Sequence, residues 1–81
     1  MELEILRKVI SEILNVDPRE ITEESTFLND LGADSLDVFQ MVLKLEDELD
    51  ISLDPDKVEA ITTVGEAVQL IRETNEEQAD E

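Results

Sequence analysis

Few residues in this chain could do chemistry, and the most suggestive lie together at Gly32-Ala33-Asp34-Ser35-Leu36-Asp37. A tight, glycine-containing connection runs there into an amphipathic segment, which sets Ser35 at the start of an expected helix. Asp34 suits the capping position, and Asp37 adds negative charge to the first turn. A helix start leaves several backbone N–H groups unpaired and carries about half a positive charge. An anion held by Ser35 would meet those donors, as phosphates do at other helix starts. The plainer reading is that Ser35 is only a cap.

Hydrolytic chemistry at Ser35 lacks a partner. The 81 residues include no histidine and no cysteine, so no Ser-His or Cys-His pair can form. Lys44 or Lys57 would have to act as base in acidic, solvated surroundings. The same absences remove disulfides, thiolate chemistry and the commonest metal ligand. Carboxylates are abundant, so an EF-hand loop beginning at Asp50 is the metal site to test. Asp50, Ser52, Asp54 and Asp56 fall at alternate positions. Pro55 then stands where glycine is required, and Ile61 where the bidentate glutamate is required. The sequence therefore predicts no catalytic residue and no dedicated metal site. If Ser35 has a special role, another protein modifies it.

Charge narrows the partners. Six basic residues against 23 acidic ones give a net charge of −17. Nucleic acid and anionic membrane both need a basic surface and are not expected as partners. Enzymes with basic patches would be attracted over a distance, although acid can also serve solubility alone. No apolar run approaches transmembrane length, and Met1-Glu2-Leu3-Glu4 is acidic and unlike a signal peptide. The expectation is a cytoplasmic monomer that is not an enzyme.

The elements that must position Ser35 read as helices. Leu3, Leu6, Val9, Ile10 and Ile13 recur at helical spacing, which predicts a half-buried helix from Leu3 to Leu14. Asn15 and Asp17-Pro18 end it. Val16 to Ala33 lacks a sustained period and is expected to be a long loop held down by Ile21, Phe27, Leu28 and Leu31. A second helix spans Ser35 to Leu49, with Val38, Met41, Val42, Leu45 and Leu49 on its core face. Leu36, Phe39 and Leu43 form a separate stripe beside Gln40, Asp47 and Asp50. Leu36 and Leu43 read as an exposed docking patch rimmed by acid; Phe39 reads equally well as a packing residue. Asp54-Pro55 opens a short helix to Ala60 that leans on Val58 and Ile61. Thr63 and Glu66 have capping-box spacing before a last helix from Val64 to Thr74. The fold class is all-α: a small bundle of three longer helices and one short one, a single domain over residues 1–75. The acidic run 76–81 is expected to be disordered.

Asp30-Leu31-Gly32-Ala33-Asp34-Ser35-Leu36-Asp37 resembles the 4′-phosphopantetheine attachment motif of acyl carrier proteins of the fatty-acid-synthesis type. Leu45-Glu46-Asp47-Glu48-Leu49, Leu53-Asp54-Pro55-Asp56 and Ile61-Thr62-Thr63-Val64 extend the resemblance, which covers roughly Leu3 to Asn75. It implies that a holo-acyl-carrier-protein synthase joins the arm of coenzyme A to Ser35. Acyl chains would then ride on the arm's thiol as thioesters, between fatty acid synthesis enzymes with basic docking patches. It also implies contact residues on the second helix: Asp34, Leu36, Asp37, Leu43, Glu46 and Asp47. In the family the acyl chain folds back between the helices, and the aliphatic core here could shift to admit one. Gln40 stands where the family usually has an acid, and Lys44 where it has a small residue; both weaken the negative stripe. A carrier for polyketide, lipid A or aminoacyl transfer is the first alternative. An acidic helical interaction module without prosthetic group is the second.

Overall fold

The computed structural model describes residues 2–78. In chain order it contains α1 (Glu2–Leu14), a 3-10 turn (Pro18–Glu20), α2 (Ser35–Leu49), α3 (Pro55–Ala60) and α4 (Val64–Gln78). The architecture is the expected all-α bundle of three longer helices and one short one. α1 packs against both α2 and α4, and α3 leans on α4. Leu6, Val9 and Ile10 of α1, Met41 and Leu45 of α2, and Val64, Ala67, Val68 and Ile71 of α4 share one core. Each fully buried aliphatic side chain contributes roughly 1.5–3 kcal/mol relative to exposure.

α1 ends where its sequence says it should. Asn15 takes a left-handed conformation (φ 61°) and donates its N–H to the Ser11 carbonyl at 2.8 Å. Asparagine tolerates that region better than other side chains, which suits it to a helix end. The 3-10 turn that follows was not legible from periodicity, being a single turn. Asp17 caps it, accepting from the Arg19 N–H at 2.9 Å and from the Arg19 guanidinium at 2.8 Å.

The long connection into α2 is held down from both sides. Ile21 is fully buried, Phe27 is nearly so, and Leu31 packs at the margin of the core. The backbone adds its own tether to the start of α4: Phe27 N–H donates to the Thr62 carbonyl at 3.1 Å, Val64 N–H to Ser25 at 2.9 Å, and Gly65 N–H to Glu23 at 2.8 Å. Thr26 and Thr63 form an isolated antiparallel bridge at this point. Gly65 lets that contact close, because a Cβ there would stand 3.1 Å from the Glu23 carbonyl oxygen and would press on it.

Leu28 departs from expectation. It does not enter the core; it is 71% exposed. Phe27 takes the inward position, and a turn closed between Thr26 and Asp30 carries the next residue outward. Thr26 N–H donates to the Asp30 carboxylate at 2.9 Å, and Asp30 N–H donates back to the Thr26 carbonyl at 3.1 Å.

The end of α4 also differs, for the helix continues past Thr74 and Asn75 to Gln78. Thr74 is buried, which carries the packed face beyond Ile71. Gln78 then brackets the loop before α3: its side-chain oxygen accepts from Ser52 N–H and its NH₂ donates to the Ser52 carbonyl, each at 3.0 Å. The expected acidic tail therefore begins as helix, and residues 79–81 lie outside the described residues.

Charge opposes this packing more than it supports it. Lys44 pairs with Glu12 at 2.7 Å and Lys8 with Glu48 at 3.5 Å across α1 and α2; Arg72 reaches Glu2 at 3.5 Å. Six cations cannot offset 23 carboxylates, and the surplus repels itself at low ionic strength. Raising NaCl from 10 to about 150 mM shortens the screening length from roughly 30 to 8 Å. The melting temperature should rise over that range, and rise again with a few millimolar Mg²⁺. A flat response in a thermal denaturation series would show that the acid is spread too widely to matter.

Candidate functional site

Ser35 owes its position to three neighbours. Gly32 adopts a left-handed turn (φ 68°) with open space around it, so glycine is needed there for its backbone and not for clearance. Ala33 is buried, and its N–H donates to the Phe27 carbonyl at 2.7 Å, which fixes the chain one residue before the cap. Asp34 then caps α2, accepting from the Asp37 N–H at 2.9 Å, while the Asp37 carboxylate accepts from the Asp34 N–H at 3.3 Å. This reciprocal box was half legible: Asp34 as cap was expected, Asp37 as its returning partner was not.

The box frees the serine. Ser35 is the first residue of α2, exposed, and its hydroxyl has no partner among the described residues. Its own N–H and that of Leu36 lie in the first turn, where no helical carbonyl precedes them. An exposed, unpartnered hydroxyl beside free N–H donors suits a covalently attached phosphate. The Asp34 and Asp37 carboxylates are turned into the cap, each accepting a backbone N–H, which leaves the N–H groups of Ser35 and Leu36 for an anion.

A groove of about 870 Å³ opens beside Ser35, between the 26–29 turn, α2 and α3. Of the residues singled out from the sequence, Asp34, Ser35, Leu43 and Glu46 line it; Leu36, Asp37 and Asp47 do not. Leu36 is 63% exposed and Leu43 50%. Asp47 is exposed on the same helix. Phe39, for which the sequence allows packing or exposure, is 57% exposed and lines the groove. Glu46 has a structural task, since its carboxylate accepts from the Leu53 N–H at 2.7 Å and ties α2 to the loop before α3.

Behind the groove lies a cavity of about 20 Å³ in the core. Phe27, Val38, Val42, Leu53, Val58 and Ile61 line both spaces, so this layer of side chains is the partition between surface and interior. The contributions of Thr26, Leu28, Leu53 and Val58 to the groove were not seen in sequence. They come from two regions distant in the chain, the connection before α2 and the stretch around α3, and no periodicity within one segment could report them.

Lys44 does not face the groove. Its bond to the Glu12 carboxylate raises its pKa above the ordinary lysine value, and the same bond holds Glu12 below the usual carboxylate range. The positive charge expected to dilute the acidic stripe is thus matched locally by α1. Gln40 is exposed. Among the described residues no group of three or more carboxylates is arranged to hold a metal ion.

Comparison with known proteins gives this geometry a family. The profile described as "Phosphopantetheine attachment site" matches residues 4–71. An acyl carrier protein of Phenylobacterium zucineum (strain HLK1) is 48% identical over 71 residues, covering 88% of this chain and 90% of the relative. One from Sulfurovum sp. (strain NBC37-1) is 50% identical over 66 residues, covering 82% and 88%. The crystal structure of the acyl carrier protein of Thermotoga maritima superposes with a TM-score of 0.81 at 28% identity, covering 95% of this chain and 94% of that one.

Proposed function

The chain belongs to the acyl carrier protein family, with 4′-phosphopantetheine as its prosthetic group, and on that premise we propose that Ser35 carries the arm. The observation that supports this is the exposed, unpartnered Ser35 hydroxyl, freed by the Asp34–Asp37 box and set at the mouth of an apolar-lined groove. When bound, the arm supplies a thiol, which the chain lacks, and so holds acyl groups as thioesters. The protein is a carrier and no catalyst, with the chemistry residing in the enzymes it visits. It works as a cytoplasmic monomer, neither binding nucleic acid nor entering a membrane.

The residues divide the work. Asp34 and Asp37 fix the first turn, and the free N–H groups of Ser35 and Leu36 would donate to the phosphate of the arm. Leu36 and Leu43 give partners an apolar footing. Asp34, Asp37, Glu46 and Asp47 supply the negative charge that draws in basic surfaces, and charge of this kind speeds encounter more than it tightens the complex. Carboxylates already engaged within the chain, such as that of Glu46, keep their charge and spare lone pairs.

The pathway we assign is fatty acid synthesis, on the strength of the attachment motif and of the acids that α2 keeps at Asp37, Glu46 and Asp47, with Gln40 the one neutral departure. A malonyl-transfer assay tests it. The loaded chain, given malonyl coenzyme A and a fatty-acid malonyl transferase, should accumulate a malonyl thioester that hydroxylamine releases. A chain that loads but accepts no malonyl group would belong to a different pathway.

A further inference from the structure

The Leu28 side chain is the most exposed large apolar group among the described residues, more so than Leu36, Phe39 or Leu43. It is not exposed for want of order. Phe27, immediately before it, is buried and bound to Thr62 through its N–H. The turn around it is closed by the Thr26–Asp30 bonds, with Thr26 Oγ1 also accepting from Asp30 N–H at 3.1 Å. The chain therefore presents a leucine to solvent from a fixed support. Leu28 lines the same groove as Ser35, and so do Phe39 and Leu43 of α2. Apolar groups from two separate segments converge on the groove that Ser35 lines.

Charge decides what can cover this surface. The ionisable residues that line the groove are Asp34, Glu46 and Glu59, all acidic. A second copy of the chain would bring another net charge of −17 against it, which disfavours self-association. The complementary occupant is a protein with an apolar socket and a rim of lysine and arginine. The enzyme that loads Ser35 must bring coenzyme A to the Ser35 oxygen and so must cover the groove mouth. Resting on the carrier reading, we propose that Leu28 is a second anchor for that loading enzyme, seated in an apolar socket apart from the contacts made by α2.

Leu28→Ser tests this in steady-state loading by a holo-acyl-carrier-protein synthase with coenzyme A and Mg²⁺. The KM for the carrier should rise about tenfold, the loss expected when one interface leucine is truncated. The kcat should hold, because Leu28 touches none of the reacting atoms, and the melting temperature should hold, because it touches little of the core. Leu28→Met should restore the KM. In the wild-type chain, the Leu28 methyl resonances should shift on titration with the synthase. An unchanged KM with unmoved methyl resonances would overturn the proposal. So would a KM unaffected by a variant whose octanoyl-loaded form melts lower, since Leu28 would then cover the cargo. Loss of a wild-type dimer in sedimentation would overturn it in favour of a second copy. A wild-type chain that takes no arm would remove the carrier reading itself; a wild-type chain that loads no faster than Leu28→Ser at limiting concentration removes the anchor alone.

Discussion

An octanoyl-loaded form of the protein is expected to melt about 10 °C above the form that bears the bare arm. The interior holds a cavity of about 20 Å³. A space of that size is close to the room needed for one water molecule and far too small for an eight-carbon chain. The groove beside Ser35 is large but open. An acyl chain can leave water fully only if the partition between the two spaces parts. That partition is made of Phe27, Val38, Val42, Leu53, Val58 and Ile61, one aromatic and five aliphatic side chains.

Two features favour parting. α3 is six residues long and leans on α4. A helix so short has little stability of its own. Each methylene moved out of water supplies up to about 0.8 kcal/mol, so the chain brings roughly 5 kcal/mol at most, and opening the partition offsets part of it. A net gain of about 2 kcal/mol raises the melting temperature of a domain this size by roughly 8–16 °C. A midpoint equal to or below that of the bare-arm form, measured by calorimetry at fixed salt, would mean that the chain stays in the open groove.

How much of this was legible from the sequence depends on whether the signal was local. The bounds of α2 and α3 follow from cap residues, since Asp34 and Asp54 accept from N–H groups in the turns they precede. Glu66 behaves as its spacing from Thr63 implies: it accepts from the Thr63 N–H and, more closely, from the Thr62 N–H at 2.7 Å. These contacts, led by the Thr62 N–H, hold its carboxyl below the ordinary glutamate range. Where the decisive contact is remote in sequence, pattern reading fails. Gln78 extends α4 by meeting Ser52, 26 residues away, and nothing in the run from Glu76 onward marks that partner.

Leu28 fails for another reason. Leucine in a loop of a small domain is ordinarily buried, and only the turn geometry shows Phe27 and Leu31 occupying the inward places. The helix start at Ser35 was legible in type and position, because Gly32, the Asp34 cap and a first-turn serine are read from one short local stretch. Its groove was not, being assembled from the turn, α2 and α3. The same distinction accounts for Lys44, whose effect on the acidic stripe depends on Glu12 across the helix pair.

One atom, the Ser35 oxygen, has to be free for the arm to be attached. Ser35→Ala should fold as the wild type does, since the hydroxyl makes no bond among the described residues and Asp34 holds the cap without it. Circular dichroism and the melting temperature should therefore match. Loading should nevertheless be lost completely, because the chain has no cysteine, and the modifying enzyme would find no other hydroxyl in this setting of cap, first-turn N–H groups and groove. The deciding measurement is an intact mass after incubation with coenzyme A, Mg²⁺ and a promiscuous phosphopantetheinyl transferase. The wild-type chain should gain the mass of one phosphopantetheine group and Ser35→Ala should gain nothing. No gain in the wild type, or a gain that survives in Ser35→Ala, would contradict the assignment.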